Sequence, residues 1–186
     1  MTKGVFTVGV FGLAARKNDG ELKIKVNVRT DQKRQKEIAG LPVNSKVKIV
    51  DLPGGGVEFN DFIDPKKADL FDVLRREISE ETGGCTIESL DEFKGPYIAI
   101  TNSTDESKPY GDMAFWMPIK LYGDPKPSDE ALEHPWISRE EFETQDKYRC
   151  VSGLGKAGRT GRMLRSAFYW YEAHASQRDR REIFSD

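Results

Sequence analysis

DLFDVLRREISEETGG, residues 69–84, carries the most readable pattern in the chain. Leu70, Phe71, Leu74 and Ile78 recur at helical spacing, which predicts an amphipathic helix packed on a core. Asp69 with Asp72 three residues later predicts a capping box, Asp standing in the usual Glu position. Gly83 is the expected C-cap. Glu77, Glu80 and Glu81 are three and four residues apart and cluster on the exposed face. Like charges at that spacing cost about a few tenths of a kcal/mol. They also oppose the helix dipole at its C-terminal end. A divalent cation would relieve both effects, and carboxylate oxygens are the donors that Mg²⁺ or Mn²⁺ prefers. Taken alone, the three glutamates read more readily as a solvated helix face than as a metal site.

The context weighs against that plain reading. Leu52-Pro53-Gly54-Gly55-Gly56-Val57-Glu58 lies upstream, a glycine loop that exposes backbone groups and ends in another carboxylate. Arg76 precedes Glu77 and stands four residues before Glu80, where it can orient a carboxylate.

Arg76-Glu77-Ile78-Ser79-Glu80-Glu81-Thr82-Gly83 resembles the second half of the Nudix box, and Pro53-Gly54-Gly55 with Glu58 resembles its glycine-rich start. The resemblance is specific over residues 53–83 and extends more weakly over most of the first 145. It implies an α+β fold, a Nudix-type α/β/α sandwich with a mixed β-sheet. It also implies a metal-dependent pyrophosphohydrolase that cleaves a diphosphate linkage in a nucleoside diphosphate derivative, using Mg²⁺ or Mn²⁺. Two positions depart from the family pattern. The closing apolar position is Gly84, and the glutamate spaced eight residues before the arginine is Ala68. Counted from the glycine end, the equivalent acid is Asp61, and the connection over residues 59–68 is about seven residues longer than usual.

The resemblance implies Glu77, Glu81 and Glu80 as metal ligands, with a backbone carbonyl near Gly54 completing the set. Arg76 is then an orienting partner. Residues 133–142, EHPWISREEF, resemble the region near the end of many Nudix domains, where a loop acid supplies a further ligand or the general base. Glu130 is the first choice for that acid and Glu133 the second; Glu77 and Glu80 are the other candidates for the base. The chemistry requires such a set. Water attacks a phosphorus whose negative charge must be neutralised, and metal ions held by converging carboxylates supply that neutralisation. Substrate-contact candidates are Phe115 and Tyr97 for stacking on a base, and Arg16, Arg29 and Lys48 for charge. Each also reads as structural or surface.

Two other functions fit parts of the pattern. One is a catalytically impaired Nudix-like module that senses a nucleotide, suggested by the long connection and by Ala68. The other is an isopentenyl-type diphosphate isomerase, which needs a placed cysteine and a histidine-rich metal site. Only His134 and His174 occur, and both read as surface residues.

The whole chain sets further bounds. Its 186 residues suffice for one domain with a real core. A formal net charge of -2 gives no argument for nucleic-acid or anionic-membrane binding. No apolar run approaches the roughly 18 residues that span a bilayer. The apolar N-terminal stretch reads as a first strand rather than a signal peptide. Cys85 and Cys150 make neither a disulfide framework nor a zinc site, which fits a reduced cytoplasmic setting.

Along the chain, residues 5–14 read as a buried strand, Asn18-Asp19-Gly20 as a turn, and residues 22–28 as a half-buried strand closing a hairpin. Residues 30–45 read as an exposed polar loop. Strands are expected over 46–52, 86–90, 95–101 and 113–122, the last with Pro118 marking an edge or a bulge. Residues 123–134 read as a loop, Trp136-Ile137 as a short strand, and Ser138 with Glu141 as a capping box opening a helix at Arg139. The division expected is residues 1–150 as the Nudix domain and 151–186 as a glycine-rich linker with a C-terminal helix. Lys156, Arg159 and Arg162 in that glycine-rich segment could cradle a phosphate, although no P-loop spacing is present. The helix is expected from Met163 to about Ser176, with Met163, Leu164, Ala167, Phe168 and Tyr171 as its buried stripe. Tyr169 and Trp170 lie off that stripe and could meet a second copy of the chain, since homodimers are common in the family.

Overall fold

The computed structural model describes residues 5–58, 69–90, 97–102, 110–151 and 155–175. Asp61 and Ala68, residues 152–154 and the tail from residue 176 lie outside the described residues. The elements in chain order are β1 (Val5–Asn18), β2 (Glu21–Lys25), β3 (Asn27–Arg29), α1 (Gln32–Ile38), β4 (Lys48–Asp51) and β5 (Gly54–Gly56). Next come α2 (Leu70–Glu81), β6 (Thr86–Ser89), β7 (Tyr97–Asn102) and β8 (Tyr110–Tyr122). β9 (Ala131–Glu133), β10 (Trp136–Ser138), α3 (Arg139–Thr144), β11 (Tyr148–Cys150) and α4 (Arg159–Ala175) complete the order.

β1 and β8 run parallel through the middle of the larger sheet, Val5 opposite Tyr110 and Ala14 opposite Ile119. Each carries two short strands in tandem on its other edge. β1 pairs with β5 over Gly9–Phe11 and with β2 over Ala15–Asn18. β8 pairs with β7 up to Trp116 and with β6 from Ile119. Pro118 therefore marks neither a sheet edge nor an end. It falls at the handover between β7 and β6, where a missing N–H removes no ladder bond to either of them. A smaller sheet, ordered β11-β4-β3-β9, lies beside the larger one. The strand over residues 131–133 within the expected loop exists because β9 completes the edge of β3.

The pleat of β1 sends alternate residues to two helices. Val10 and Ala14 pack with Leu74 and Ile78 of α2, whereas Phe11, Leu13 and Ala15 pack with Leu164, Phe168 and Tyr171 of α4. The mixed sheet is thus covered on both faces, the expected α/β/α sandwich. Every residue of the expected α4 stripe is buried. The Tyr171 hydroxyl donates to the Leu13 carbonyl at 2.6 Å, which satisfies a phenol buried in the core.

Four readings change. Residues 32–38 form a short exposed helix rather than a loop. The Gln32 amide both donates to the Ile49 carbonyl (2.7 Å) and accepts from its N–H (2.8 Å), fastening α1 to β4. The polar residues of 22–28 do not all face solvent. Lys25 is buried over the Trp136 ring and Asn27 is buried under α2. α4 starts at Arg159, inside the expected linker, because Gly161 lets its first turn close on the turn at Lys156. Trp170 packs against the core with the His174 ring stacked on it, so of the two off-stripe aromatics only Tyr169 is exposed.

Among the described residues no helix is long and apolar enough to cross a membrane. Cys85 and Cys150 are free and buried.

At Gly12 the side chains of α2 lie close against β1. A Cβ there would lie 2.6 Å from Ile119 Cδ1 and 2.7 Å from Ile78 Cδ1. Overpacking of this kind costs roughly 1–3 kcal/mol. Gly12→Ala is therefore expected to destabilise the protein by about that amount, read as a lower urea midpoint with an unchanged slope.

Candidate active site

α2 starts and ends as its sequence demands, with one exception. Asp69 caps it by accepting from the Phe71 N–H (2.8 Å). The expected capping box does not form, because the Asp72 carboxylate is taken by Arg75 at 2.8 Å. At the other end Gly83 adopts φ +67 and the Gly84 N–H donates to the Ser79 carbonyl (2.8 Å), a Schellman closure. A glycine at position 84, where the family has an apolar residue, suits its own φ of +108.

Glu81 sits in the last turn, only 8% exposed. One of its oxygens, Oε2, accepts from the Gly54 N–H at 2.7 Å and from Asn27 Nδ2 at 3.0 Å. A helix and both sheets therefore meet at one carboxylate. Burial pushes its pKa up to about 8; the Gly54 amide opposes that rise, and the charges of Asp51, Glu130 and Glu77 add to it. Asn27 is itself held from behind. Its Oδ1 lies 2.8 Å from His134 Nδ1, and His134 Nε2 lies 2.9 Å from the Lys126 carbonyl oxygen. His134 is thus a half-buried member of a polar chain, not the surface residue expected.

Glu77 lies one turn earlier with its carboxylate against Gly55; a Cβ on Gly55 would stand 1.8 Å from Glu77 Oε2. Burial raises the Glu77 pKa, Arg76 at 2.8 Å opposes, and Glu80 and Glu130 raise it further. Glu80 points away from these two. Its side chain is 63% exposed and, among the described residues, reaches Arg76 at 3.4 Å. Arg76 thus touches both glutamates, as the orienting reading requires.

A cavity of about 230 Å³ opens beside Glu81. Gly54, Gly55 and Gly56 form one wall, Asp51, Glu81 and Glu130 contribute acids, and Arg29 and Arg159 contribute cations. Glu133, the second-choice loop acid, is drawn off to Lys48 (2.7 Å) and does not line the cavity. Neither Lys48 nor Arg16 lines it; Arg16 stacks on Trp136 at 4.7 Å. Phe115 packs against the apolar cluster under α2. The Tyr97 side chain lies outside the description. Of the five substrate-contact candidates, Arg29 alone is a described cavity residue.

Asn27, Asp51 and the placement of Arg159 escaped the sequence reading. Asn27 and Asp51 are cross-strand partners in the smaller sheet, so each becomes meaningful only once β3 and β4 pair. The available signal was Asp51 itself, an acid at a strand end feeding straight into the glycine loop.

No family model matches the sequence, and no curated protein matches it significantly. Solved structures do match. The solution structure of the Escherichia coli ORF135 protein aligns over 96% of this chain and 99% of its own, at 18% identity and a TM-score of 0.51. A Caenorhabditis elegans Ap4A hydrolase binary complex aligns over 91% and 98%, at 16% identity and 0.50. Shewanella oneidensis NrtR in complex with a 27mer DNA aligns over 90% of this chain and 63% of its own, at 13% identity and 0.51. The fold is the Nudix fold. On that fold Glu77 and Glu81 face the glycine wall while Glu80 faces out.

Within the described residues no three carboxylates or imidazoles are drawn together as a metal cluster. The donor set nevertheless suits a hard divalent cation. Its oxygens are carboxylate; burial first raises the pKa of Glu77 and Glu81, neighbouring carboxylates add to the rise, and a cation would offset both effects.

Glu81 also gives the metal-free protein a pH signature. Its folded pKa of about 8 lies above the ordinary value of 4.5, so the folded state holds the proton more tightly. That stability is complete below pH 4.5 and is lost as the pH rises to about 8. The thermal midpoint of metal-free protein is expected to fall over this window. Glu81→Gln retains an acceptor for the Gly54 N–H and is expected to flatten that slope; an unchanged slope would place the titration elsewhere.

Proposed function

We propose that the protein is a metal-dependent pyrophosphohydrolase that cleaves a diphosphate linkage in a nucleoside diphosphate derivative. The observation that carries this reading is the meeting of Glu81, buried and like-charged with Asp51, Glu130 and Glu77, with the glycine wall of a cavity. Buried acids that repel one another are costly unless a cation joins them. The Nudix fold, shared with an Ap4A hydrolase, agrees with this class of reaction.

In this reading Glu77 and Glu81 would hold Mg²⁺ or Mn²⁺, with the Gly54 carbonyl as a further oxygen donor. The bound ion supplies charge neutralisation and lowers the pKa of a water. The rest is done by the chain. The Gly54 N–H and Asn27 fix the Glu81 carboxylate by one oxygen and leave Oε1 for a ligand. Arg76 aims Glu77 toward Gly55. Glu130 is exposed at the cavity rim and is the acid best sited to take a proton from the attacking water. Glu80 contributes through Arg76, as part of the charge balance that orients Glu77.

Phosphate release from a panel of nucleoside diphosphate derivatives with Mg²⁺ or Mn²⁺ tests the proposal. Glu81→Gln is expected to lower turnover by about 100-fold or more. Glu133→Gln, at a residue that does not line the cavity, is expected to stay near the parent. A parent that binds nucleotide but turns over no member of the panel would favour the sensor reading instead.

A further inference from the structure

What Asn27 does for Glu81 depends on which end of its amide points there. An amide is nearly symmetric in shape but not in hydrogen bonding: its NH₂ donates and its oxygen only accepts. Asn27 Nδ2 lies 3.0 Å from Glu81 Oε2, so the donating end faces the carboxylate. A half-turn of the same amide would set oxygen against oxygen. It would then work against the ionised form of Glu81, the form that would bind a cation. Asn27 is 3% exposed, so water is not a ready partner for either end. Among the described residues the amide has one partner at each end: Glu81 Oε2 for Nδ2, and His134 Nδ1, at 2.8 Å, for Oδ1.

His134 is itself held in place. The carbonyl of the next residue, Pro135, accepts from the N–H of Val26, beside Asn27, at 3.0 Å. His134 Nε2 lies 2.9 Å from the Lys126 carbonyl oxygen, and the Lys126 N–H donates to the Thr82 carbonyl at 2.9 Å. Thr82 is the C-cap of α2 and follows Glu81. The contacts form a closed circuit, from the Glu81 side chain through Asn27, His134 and Lys126 back to the backbone beside Glu81. Asn27 Oδ1 and the Lys126 carbonyl both accept, so a proton on Nδ1 serves the first and one on Nε2 the second. The Lys126 contact is exposed, where water can replace it, whereas the buried Asn27 oxygen would be left without a donor. Nδ1 is thus the position where a missing proton costs more.

We propose that His134 is a positioning residue that donates from Nδ1 to Asn27 and so holds the NH₂ of that amide on Glu81. It does not line the cavity and acts on it at second hand. The inference rests on the pyrophosphohydrolase reading for the use made of Glu81, but the orientation of the amide is measured without metal or substrate.

The variants are His134→Asn, His134→Gln and His134→Phe in the full chain, with thermal melts monitoring folding. Asn sets an amide nitrogen at the place of Nδ1, and Gln sets one at the place of Nε2. Phe keeps the bulk of the ring without either nitrogen, and Gln carries the comparison if Phe does not fold. In metal-free protein the nuclear Overhauser effect between the Asn27 NH₂ and the Gly54 amide proton reads the orientation. Both groups donate to one oxygen, each proton about 2 Å from it, so the protons lie within about 4 Å of each other. The signal is expected in the parent and in His134→Asn, and is expected to weaken or vanish in His134→Gln and His134→Phe. Mn²⁺ titrated alone is expected to bind those last two about 10-fold more weakly than the parent. In an Asn27→Ala background the same substitutions are expected to change Mn²⁺ affinity little, because the amide through which His134 acts is gone. Three results overturn the proposal: a parental signal in folded His134→Phe or His134→Gln, a loss of affinity undiminished by Asn27→Ala, or a His134→Asn variant no better than His134→Phe. A parent that binds no Mn²⁺ sinks the metal reading of the site, and the Overhauser effect then decides the role of His134 by itself. A parent that hydrolyses the panel, with a parental signal in His134→Phe, spares the hydrolase and sinks the positioning role.

Discussion

A single carboxylate oxygen joins the parts of this molecule. Glu81 Oε2 receives one hydrogen bond from the glycine strand of the large sheet and one from Asn27 of the small sheet, while its own backbone belongs to α2. The cost of burying that carboxylate is high, and its pKa rises accordingly to about 8. The arrangement persists because neighbouring elements are packed independently of it. Leu74 and Ile78 bury α2 on Val10 and Ala14, with Gly12 permitting the close approach. The apolar face thus holds the acidic face in a position it would not choose electrostatically.

The sheet topology explains why polar residues from so many segments reach one place. β1 exchanges β5 for β2 along the same edge, and the chain crosses from the small sheet into the large one between Asp51 and Gly54. The gap between the two sheets is the cavity. Asn27, Arg29 and Asp51 enter it from one sheet, and Phe11 and the three glycines from the other. α4 closes the third side, anchored at one end by Tyr171 on the Leu13 carbonyl and at the other by Thr160 on Asp51. Its first residue, Arg159, lines the cavity.

Polar residues behind the site form chains rather than isolated pairs. His134 supports Asn27, which supports Glu81. Arg76 divides itself between Glu77 and Glu80, so the exposed glutamate bears on the half-buried one through a shared cation. Each chain includes a residue outside the cavity lining, His134 behind Asn27 in one and Arg76 beside Glu77 in the other. Roles assigned by position in a motif therefore divide by orientation: Glu77 and Glu81 face the glycine wall, and Glu80 does not.

Local sequence determined the elements and the acids. The 3.6-residue pattern of α2, the Gly83 terminus, the β1–β2 hairpin and the Ser138–Glu141 capping box all depend on residues within a few positions of one another, and all are present. The spacing of Glu77, Glu80 and Glu81 on their helix was legible for the same reason. What tertiary structure decided depends on contacts across 27 to 109 positions: the Glu81–Gly54 bond, the Asn27–Glu81 bond and the Thr160–Asp51 bond. Lys25 and Asn27 read as solvent-facing because alternation reports which face of a strand a residue occupies, not what covers that face. Trp136 covers one and α2 the other. Glu130 was separable from Glu133 only when Lys48, on another strand, proved to hold the second. Periodicity is written along the chain, whereas the burial of a charge and the partner that compensates it are set by which distant segments the packed core brings together.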